Sequence, residues 1–363
     1  MTTPNRRIAI VHDALVNTGG AERVVLQMHR VFPDAPIFTS VYLPDRTYPE
    51  FAGASVRPFR WAKFVRNESG MKRLWWLAAT GFAGLRLDGF DCVLTSSTFA
   101  AKAVRVPAGA LHASYCYAPF RLIWHPESYL PEHLPAKAAV ARVMRAAFAP
   151  LRVWDRRVSR RAHRTATTCL NMVRSLRACY GIEARVLHAP IEWGTYSVSH
   201  RIGDFYLVVS RLNRYKRIDL AIEACNRLSR RLVIVGEGPL RHELEARATA
   251  HVTFLGRQPE AELRRLYSTC RALIFPSDED YGLVPLEAQA SGRPVVALGR
   301  GGALETIVPG STGVFFSNPV VDDVVEAIRR AESMPFDPQA IREHARRFDV
   351  PAFTRGLTEF TEP

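Results

Sequence analysis

The chain has 363 residues, of which 47% are hydrophobic and 23% charged, a composition that indicates a globular protein and excludes a disordered or fibrous one. This length favours two domains of ordinary size. A formal net charge of +14 favours an anionic partner: nucleic acid, anionic lipid or a phosphorylated small molecule. The six cysteines are scattered without C-x-x-C spacing, which argues against a disulfide framework or a structural zinc site and favours a reducing cytosol.

The first half of the chain alternates short apolar runs with helical patterns. The predicted strands cover residues 7–12, 36–41, 91–97 and 111–117. The first helix is predicted at residues 22–32, and the turn before it holds Gly19 and Gly20. These glycines would allow a ligand to approach the helix start, although a plain tight turn explains them equally well. We expect no signal peptide, and the apolar stretch 74–85 is shorter than the roughly 20 residues that span a bilayer.

Two segments of the first half are strongly basic. Residues 57–86 mix Trp and Phe with Arg and Lys, which is typical of a contact with a membrane interface but also fits a core helix with a solvated basic face. Residues 142–164 hold eight arginines and one acid, Asp155. This second segment fits a membrane face, a groove for an anionic acceptor or ordinary surface. No helix-turn-helix, RNA-recognition or zinc-finger pattern accompanies the charge, so we expect no nucleic acid partner.

The second half has the regular alternation of a buried parallel sheet. Its predicted strands cover residues 205–211, 231–238, 251–256, 271–277 and 293–299. Its predicted helices cover residues 217–229, 239–249, 259–268 and 284–291. Two strand–helix series in one chain predict two doubly wound α/β domains. We place the domains at residues 1–195 and 204–345, and the remaining 346–363 could pack back on the first domain as a helix.

Polar and glycine residues follow the predicted strands of the second half. Arg211 and Lys216 follow the first of these strands, where two cations would suit a diphosphate, although a solvated basic loop is an equal alternative. Gly236 and Gly238 follow the second strand and would permit close approach of a ligand, but a structural turn explains this pair better on its own.

The stretch "EDYGLVPLEAQASGRP" carries the strongest signal. Gly282 permits a turn and Pro285 suits a first helical turn, so Glu279 is expected on the loop and Glu287 on the first turn of the helix. Carboxylates would accept from sugar hydroxyls, and the amides of residues 282–284 could hold phosphate. The alternative is a solvated acidic turn with Glu287 placed favourably in the helix dipole.

These motifs resemble those of retaining glycosyltransferases of family 4, which have the GT-B fold of two Rossmann-like domains facing across a cleft. "EDYGLVPLEAQASGRPVVA" resembles the family's E-x7-E motif, and "SRLNRYKRID" and "GEGPLRHEL" resemble its phosphate-binding segments. Upstream, "HDALVNTGGAERVV", "YCYAPFRLIWH" and "APLRVWDRRVSRRAHR" resemble the bacterial O-antigen and exopolysaccharide mannosyltransferases. The resemblance covers roughly residues 7–330.

The resemblance implies a role for individual residues and implies no obligatory metal or cofactor. Arg211, Lys216 and Glu279 would be catalytic, with the two cations neutralising the leaving diphosphate and Glu279 contacting the donor sugar. The implied donor-binding residues are Gly20, Gly236, Gly238, Gly282, Leu283, Val284 and Glu287. The acceptor-side candidates are Tyr117, Arg121 and His125. Relatives have "CHTP" where this chain has "CYAP", so Tyr117 replaces an expected His, and His125 stands where an acid is common.

The predicted function is transfer of a hexose, with mannose from GDP-mannose favoured, onto a lipid-linked saccharide of bacterial surface polysaccharide synthesis. The enzyme would be cytoplasmic and bound peripherally to the inner membrane through residues 57–86. A UDP-sugar donor is the alternative within the same fold. A non-catalytic GT-B scaffold, or a basic protein that binds nucleic acid or membrane, is the alternative from another class.

Overall fold

A computed structural model describes residues 6–65, 75–126 and 136–362 of the chain. The chain divides into two compact units, which we call the first unit (Met1–Ala189 with Phe353–Pro363) and the second unit (Pro190–Ala352). Within the described residues no helix is both long enough and apolar enough to cross a membrane.

The described part of the first unit is built on a parallel sheet of seven strands in the order β3-β2-β1-β4-β5-β6-β7. The strands are β1 (Ile8–His12), β2 (Ile37–Thr39), β3 (Val56–Pro58), β4 (Cys92–Ser97), β5 (Leu111–Cys116), β6 (Arg164–Thr167) and β7 (Arg185–Val186). Every residue of β4 is buried, as expected of a central strand covered on both faces.

Helices connect these strands and cover the sheet. They are α1 (Gly20–Val31), α2 (Trp75–Gly84), α3 (Arg121–Trp124), α4 (Lys137–Ala147), α5 (Ala149–Ser159) and α6 (Leu170–Tyr180). Helix α6 ends where Gly181 adopts a φ of +66°, a left-handed conformation that glycine reaches without steric cost. The last helix of the chain, α14 (Val350–Thr361), also contacts this unit: the Phe353 ring meets the Tyr115 ring edge-on at 6.2 Å.

The second unit has a parallel sheet of six strands in the order β10-β9-β8-β11-β12-β13. The strands are β8 (Phe205–Val209), β9 (Arg231–Val235), β10 (Val252–Gly256), β11 (Ala272–Phe275), β12 (Val295–Leu298) and β13 (Gly313–Phe316). The helices are α7 (Ile218–Leu228), α8 (Arg241–Glu245), α9 (Glu260–Thr269), α10 (Leu283–Ala290), α11 (Ala303–Thr306), α12 (Val321–Ser333) and α13 (Pro338–Ala345).

The core of the second unit follows from the apolar spacing of these elements. The inward side of α7 repeats at Ile218, Ala221, Ile222 and Cys225, all buried. The same cluster includes Val324, Ala327 and Ile328 of α12, so both helices cover one face of the sheet. Burial of apolar side chains at this spacing is the main source of the unit's stability.

The α/β fold of two parallel, Rossmann-like sheets is confirmed. Several elements were absent from the sequence prediction: β3, β6, β7 and β13, and the helices between β5 and β6. The helix predicted at 239–249 is shorter, because α8 ends at Glu245. Strand β7 has two residues, too few to produce a recognisable alternation of apolar and polar side chains.

Candidate functional site

The second unit's sheet has one point where the strand order reverses. From β8 the chain proceeds outward to β9 and β10, whereas β11, the other neighbour of β8, is followed by β12 and β13. In open parallel sheets, ligands bind outside the carboxyl ends of the strands at such a point. The loops at residues 210–217 and 276–282 follow these two adjacent strands, so their side chains meet at this edge.

An ion pair joins the two loops. The ammonium of Lys216, after β8, contacts the Oε1 atom of Glu279, after β11, and the Ser277 hydroxyl donates to the same oxygen at 2.8 Å. The side chains of Lys216 and Glu279 are 11% and 21% exposed, so the pair is sheltered yet can be reached by a ligand. Lys216 has three donors and Glu279 four acceptor positions, so each can bind a further group.

Arg211 lies on the same loop as Lys216 but is exposed. Its guanidinium Nη2 donates to the hydroxyl of Tyr215 at 3.2 Å, and the Lys216 ammonium lies 5.1 Å from the centre of the Tyr215 ring. Tyr215 therefore stands between the two cations. The structure brings Lys216 and Glu279 together and places Arg211 nearby, at the outer edge of the same loop.

Helix α10 begins at this edge. Gly282 precedes it with a φ of +87°, a conformation that side chains rarely adopt, and Pro285 lies in the first turn. The first amides of a helix have no carbonyl partner inside it, and here the N-cap glycine has no side chain to supply one. The N–H groups of Leu283 and Val284 can therefore serve an anion at the helix start.

Glu287 lies one turn further into α10. Because the helix begins at Leu283, Glu287 is its fifth residue, so the prediction that it belongs to the first turn is wrong. Its side chain is buried, with 5% of the residue exposed, and the buried hydroxyl of Tyr267 on α9 donates to Oε2 at 2.8 Å. A buried carboxylate is costly unless it is hydrogen-bonded, and Tyr267 provides such a bond.

Glycines allow the loops of this edge to pack closely. Gly236 has a φ of +131°, and a Cβ atom there would overlap the carbonyl oxygen of Ser210. A Cβ atom on Gly238 would come within 2.7 Å of the main chain of Leu212. Both glycines therefore support the loop that carries Arg211, whereas their contact with a ligand stays a prediction.

The first unit places Gly20 and Tyr117 together. Gly20 is the first residue of α1, and the Tyr117 hydroxyl donates to the carbonyl of the next residue, Ala21, at 3.1 Å. Since that proton is used, the Ser96 hydroxyl is the donor in its 2.8 Å bond to Tyr117. The imidazole Nδ1 of His12 lies 2.9 Å from the Ser96 carbonyl and therefore donates to it.

This chain of hydrogen bonds defines what Tyr117 can do. Burial raises the pKa of Tyr117, so the phenol stays protonated near neutral pH. Its single proton is directed at the main chain of α1, and its oxygen accepts from the Ser96 hydroxyl. Tyr117 therefore cannot act as the base that a histidine at this position could provide.

The other acceptor-side candidates lie on one short element. Arg121 opens α3, and His125 follows its last residue with an exposed side chain. The His125 N–H donates to the Arg121 carbonyl at 2.7 Å, which closes this single helical turn. Both residues are thus fixed to the same four-residue helix, after β5.

Asp13 is a residue that the sequence interpretation missed. Its carboxylate follows β1 and accepts from four successive main-chain N–H groups after β4, of Thr98, Phe99, Ala100 and Ala101, at 2.7–2.9 Å. It also accepts from the Ser97 hydroxyl at 3.1 Å. Asp13 thereby joins the two strands at which the first sheet reverses its order. The quoted motif contained the residue, but sequence alone gave no sign of its partners.

The basic segment 57–86 is partly described. Phe64 and Trp76 are 73% and 52% exposed, whereas Trp61 packs against buried residues of the first unit. Arg66, Lys72 and Arg73, which contribute to the predicted membrane contact, lie outside the described residues. Among the residues that the structure does describe, no three His, Cys, Asp or Glu side chains are grouped so that they could hold a metal ion.

Comparison with solved structures agrees with this architecture. The Anabaena protein HepE, crystallised in complex with UDP-glucose, superimposes with a TM-score of 0.69 at 16% identity, covering 97% of this chain and 98% of that protein. At that identity the likeness concerns the fold alone, which is the GT-B fold with two Rossmann-like domains.

The sequence of the second unit resembles a known family. Residues 202–348 match the family described as "Glycosyl transferases group 1". The chain is 32% identical over 160 residues to sulfoquinovosyl transferase SQD2 of Arabidopsis thaliana, and 39% identical over 87 residues to alpha-1,3/1,6-mannosyltransferase ALG2 of Dictyostelium discoideum. These matches cover 41% and 24% of this chain and 31% and 20% of those proteins, so the chain spans less than a third of either relative.

Proposed function

We propose that the protein transfers a hexose, mannose from GDP-mannose, onto a lipid-linked saccharide with retention of anomeric configuration, in the synthesis of a bacterial surface polysaccharide. The observation that carries this proposal is the Lys216–Glu279 pair, which lies beside the start of α10 inside the segment that matches the glycosyltransferase family. A cation, free helix amides and carboxylates at one sheet edge are the groups that a nucleotide diphosphate sugar requires.

In the proposed reaction, the bond between the anomeric carbon and the diphosphate breaks as negative charge grows on the diphosphate. Lys216, Arg211 and the first amides of α10 would stabilise that charge, which is the work that a metal ion does in other enzymes. Glu279 would accept a hydrogen bond from a sugar hydroxyl. The acceptor hydroxyl would attack from the face that the diphosphate leaves, and the leaving phosphate would take its proton.

Glu287 would bind the ribose of the nucleotide. Its carboxylate is held by Tyr267, which fixes its orientation before any ligand arrives. Preorganised acceptors of this kind bind hydroxyls with a smaller loss of side-chain entropy. The role expected of Gly20 is contact with the donor, and the role expected of Tyr117, Arg121 and His125 is contact with the acceptor.

The choice of mannose follows the resemblance of the first-unit motifs, and the name of the Dictyostelium relative agrees with it. A UDP-sugar is the second candidate donor, because the structurally similar HepE was crystallised with UDP-glucose. A panel of GDP- and UDP-sugars, each tested for hydrolysis without acceptor, separates the two. Release of GDP from GDP-mannose supports the first proposal, and release of UDP alone supports the second.

We further propose that the protein works at the cytoplasmic face of the inner membrane. The exposed rings of Phe64 and Trp76 lie in a segment whose described residues also expose Arg57, Arg60 and Lys63, which suits an interface with anionic lipid. Co-sedimentation with anionic lipid vesicles, and loss of binding in Phe64→Ser with Trp76→Ser, tests this. Binding of RNA in place of vesicles would instead favour the nucleic acid alternative.

A non-catalytic scaffold is the remaining alternative. It predicts that Lys216→Met and Glu287→Ala have no effect on any transfer measured with membranes of the native host. Unchanged transfer in both variants would refute the proposed site, whereas loss of transfer with an unchanged fold supports it.

A further inference from the structure

A buried ion pair lies in the first unit and includes none of the residues assigned above. The Lys102 ammonium is 2.7 Å from Asp155 Oδ1, and the two side chains are 1% and 0% exposed. Lys102 follows β4, and Asp155 lies in the middle of α5. Taking both charges out of water is expensive, and apolar residues of similar volume often give equal or greater stability. Stability alone therefore does not explain why this ion pair is present.

Two further groups complete the surroundings of Asp155. The Tyr180 hydroxyl, at the end of α6, donates to Oδ2 at 2.8 Å and accepts from Lys102 at 2.8 Å. The indole Nε1–H of Trp124 donates to the same Oδ2 at 2.7 Å. Tyr180 stays protonated, because burial and the neighbouring carboxylate raise its pKa. Asp155 thus receives one cation and two neutral donors from three different elements.

Trp124 connects this cluster to helix α3. It is the last residue of α3, a helix of four residues, and isolated helices of this length are unstable in water. The indole meets the Tyr180 ring edge-on at 5.6 Å, with the Arg156 guanidinium 5.4 Å from the indole centre. Arg152 donates to the carbonyl of Ile123 at 3.0 Å. Residues of α5 and α6 therefore hold helix α3 in place.

Helix α3 carries Arg121 and is followed directly by His125, the acceptor-side candidates. We propose that Asp155 is a positioning residue for the acceptor: through Trp124 it fixes the place and orientation of α3, and Lys102 and Tyr180 fix Asp155 in turn. This inference rests on the proposed function, since it assumes that α3 faces the acceptor. It assigns the lone acid of the arginine-rich segment 142–164 to the acceptor side without any direct contact with substrate.

Trp124→Phe tests the inference because it removes the N–H donor and keeps an aromatic ring, and its loss of side-chain volume is matched in the control. Trp154→Phe is the matched control: Trp154 precedes Asp155 on α5 and packs on Phe99 with ring centres 6.2 Å apart. The readouts are transfer of labelled hexose from GDP-mannose to membranes of the native host, hydrolysis of GDP-mannose without acceptor, and hydrogen exchange of the amides of 121–125.

We expect Trp124→Phe to lower transfer by roughly ten- to a hundredfold, the loss typical of a small misplacement of a reacting group. Hydrolysis without acceptor should stay within twofold of wild type, and exchange of the 121–125 amides should accelerate. Trp154→Phe should change none of these by more than twofold. Asp155→Asn keeps the shape of the side chain but removes its charge. It should also lower transfer and accelerate exchange of the 121–125 amides.

Two results for Trp124→Phe would overturn the inference. Equal losses of transfer and hydrolysis would indicate that the contact only stabilises the fold. Transfer at the wild-type rate would indicate that the contact has no role in the reaction. Failure of the proposed function looks different: the wild-type protein itself would neither hydrolyse nor transfer. In that event hydrogen exchange still tests whether Asp155 fixes α3. Unchanged exchange of the 121–125 amides in Trp124→Phe would refute that role.

Discussion

Replacing Lys216 by Met should abolish most donor cleavage while leaving the protein folded. In the proposed reaction the Lys216 ammonium faces a diphosphate whose negative charge grows as the sugar leaves. Two unit charges 4 Å apart interact by about 4 kcal/mol at an effective dielectric constant of 20, against about 1 kcal/mol in bulk water. Lys216 is 11% exposed, so the higher value applies better. Since about 1.4 kcal/mol corresponds to a tenfold change in rate, we expect kcat to fall about a thousandfold.

The fold should tolerate this change. Lys216→Met leaves Glu279 without its cation, but the Ser277 hydroxyl still donates to the carboxylate, which is 21% exposed to water. Breaking an exposed ion pair costs about 1 kcal/mol or less and breaking a buried one about 3–5 kcal/mol, so loss of this sheltered pair should lower the unfolding free energy by about 1–3 kcal/mol. Thermal unfolding should therefore show a lower midpoint but a folded protein at the assay temperature, and a thousandfold loss of rate can be attributed to the reaction.

The assay is release of GDP from GDP-mannose under saturating donor, with Arg214→Met as the matched control. Arg214 lies in the same short turn, but it is exposed and paired 3.5 Å from Glu243, so its replacement should change kcat less than twofold. A Lys216→Met protein that keeps kcat within fivefold of wild type would refute the electrostatic role. So would an equal loss in Arg214→Met, because that result would indicate a general effect of basic charge.

Three further predictions concern Tyr267, Asp13 and His112. Tyr267→Phe should weaken nucleotide binding by roughly tenfold, because it removes a hydrogen bond to a charged group, which contributes about 1.5–3 kcal/mol. An unchanged affinity in titration calorimetry would contradict this prediction. Asp13→Ala should lower the unfolding free energy by about 3 kcal/mol or more, since four N–H groups lose their acceptor; denaturant unfolding with an unchanged midpoint would refute this. Burial lowers the pKa of His112 to about 4. The folded state therefore binds fewer protons than the unfolded state, and stability present above about pH 6.5 should decline as pH falls toward 4. His112→Gln should flatten that decline in denaturant unfolding at a series of pH values, and an unaltered slope would contradict the assignment.

The second unit was predictable because its local signals agree. Apolar runs such as "RLVIV" alternate with helices of clear spacing, and Gly282 with Pro285 marks the start of α10 correctly to within one residue. The sequence also placed Lys216 and Glu279 after strands, where parallel topology brings loops together. Their pairing, however, depends on β8 and β11 being neighbours, and strand order cannot be deduced from local pattern.

The first unit was harder because its important contacts are distant in sequence. Asp13 binds amides more than 80 residues away, and Trp124 reaches Asp155 across 31 residues. Tyr117 was noted as a substitution for an expected histidine, yet its bond to the main chain of α1 depends on the fold, which brings two residues 96 positions apart together. The residue types indicated which groups could donate or accept hydrogen bonds. Which partner each group binds could be read only from the folded structure.

Isothermal titration of GDP-mannose into the wild-type protein and into Glu287→Ala tests the central claim most directly, because it asks whether the edge at β8 and β11 binds a nucleotide sugar. We expect one GDP-mannose per chain for wild type and at least tenfold weaker binding for Glu287→Ala, with both proteins unfolding at similar temperatures. Equal affinity in the two proteins, or no binding of any GDP- or UDP-sugar to the wild type, would contradict the assignment of this edge as the donor site.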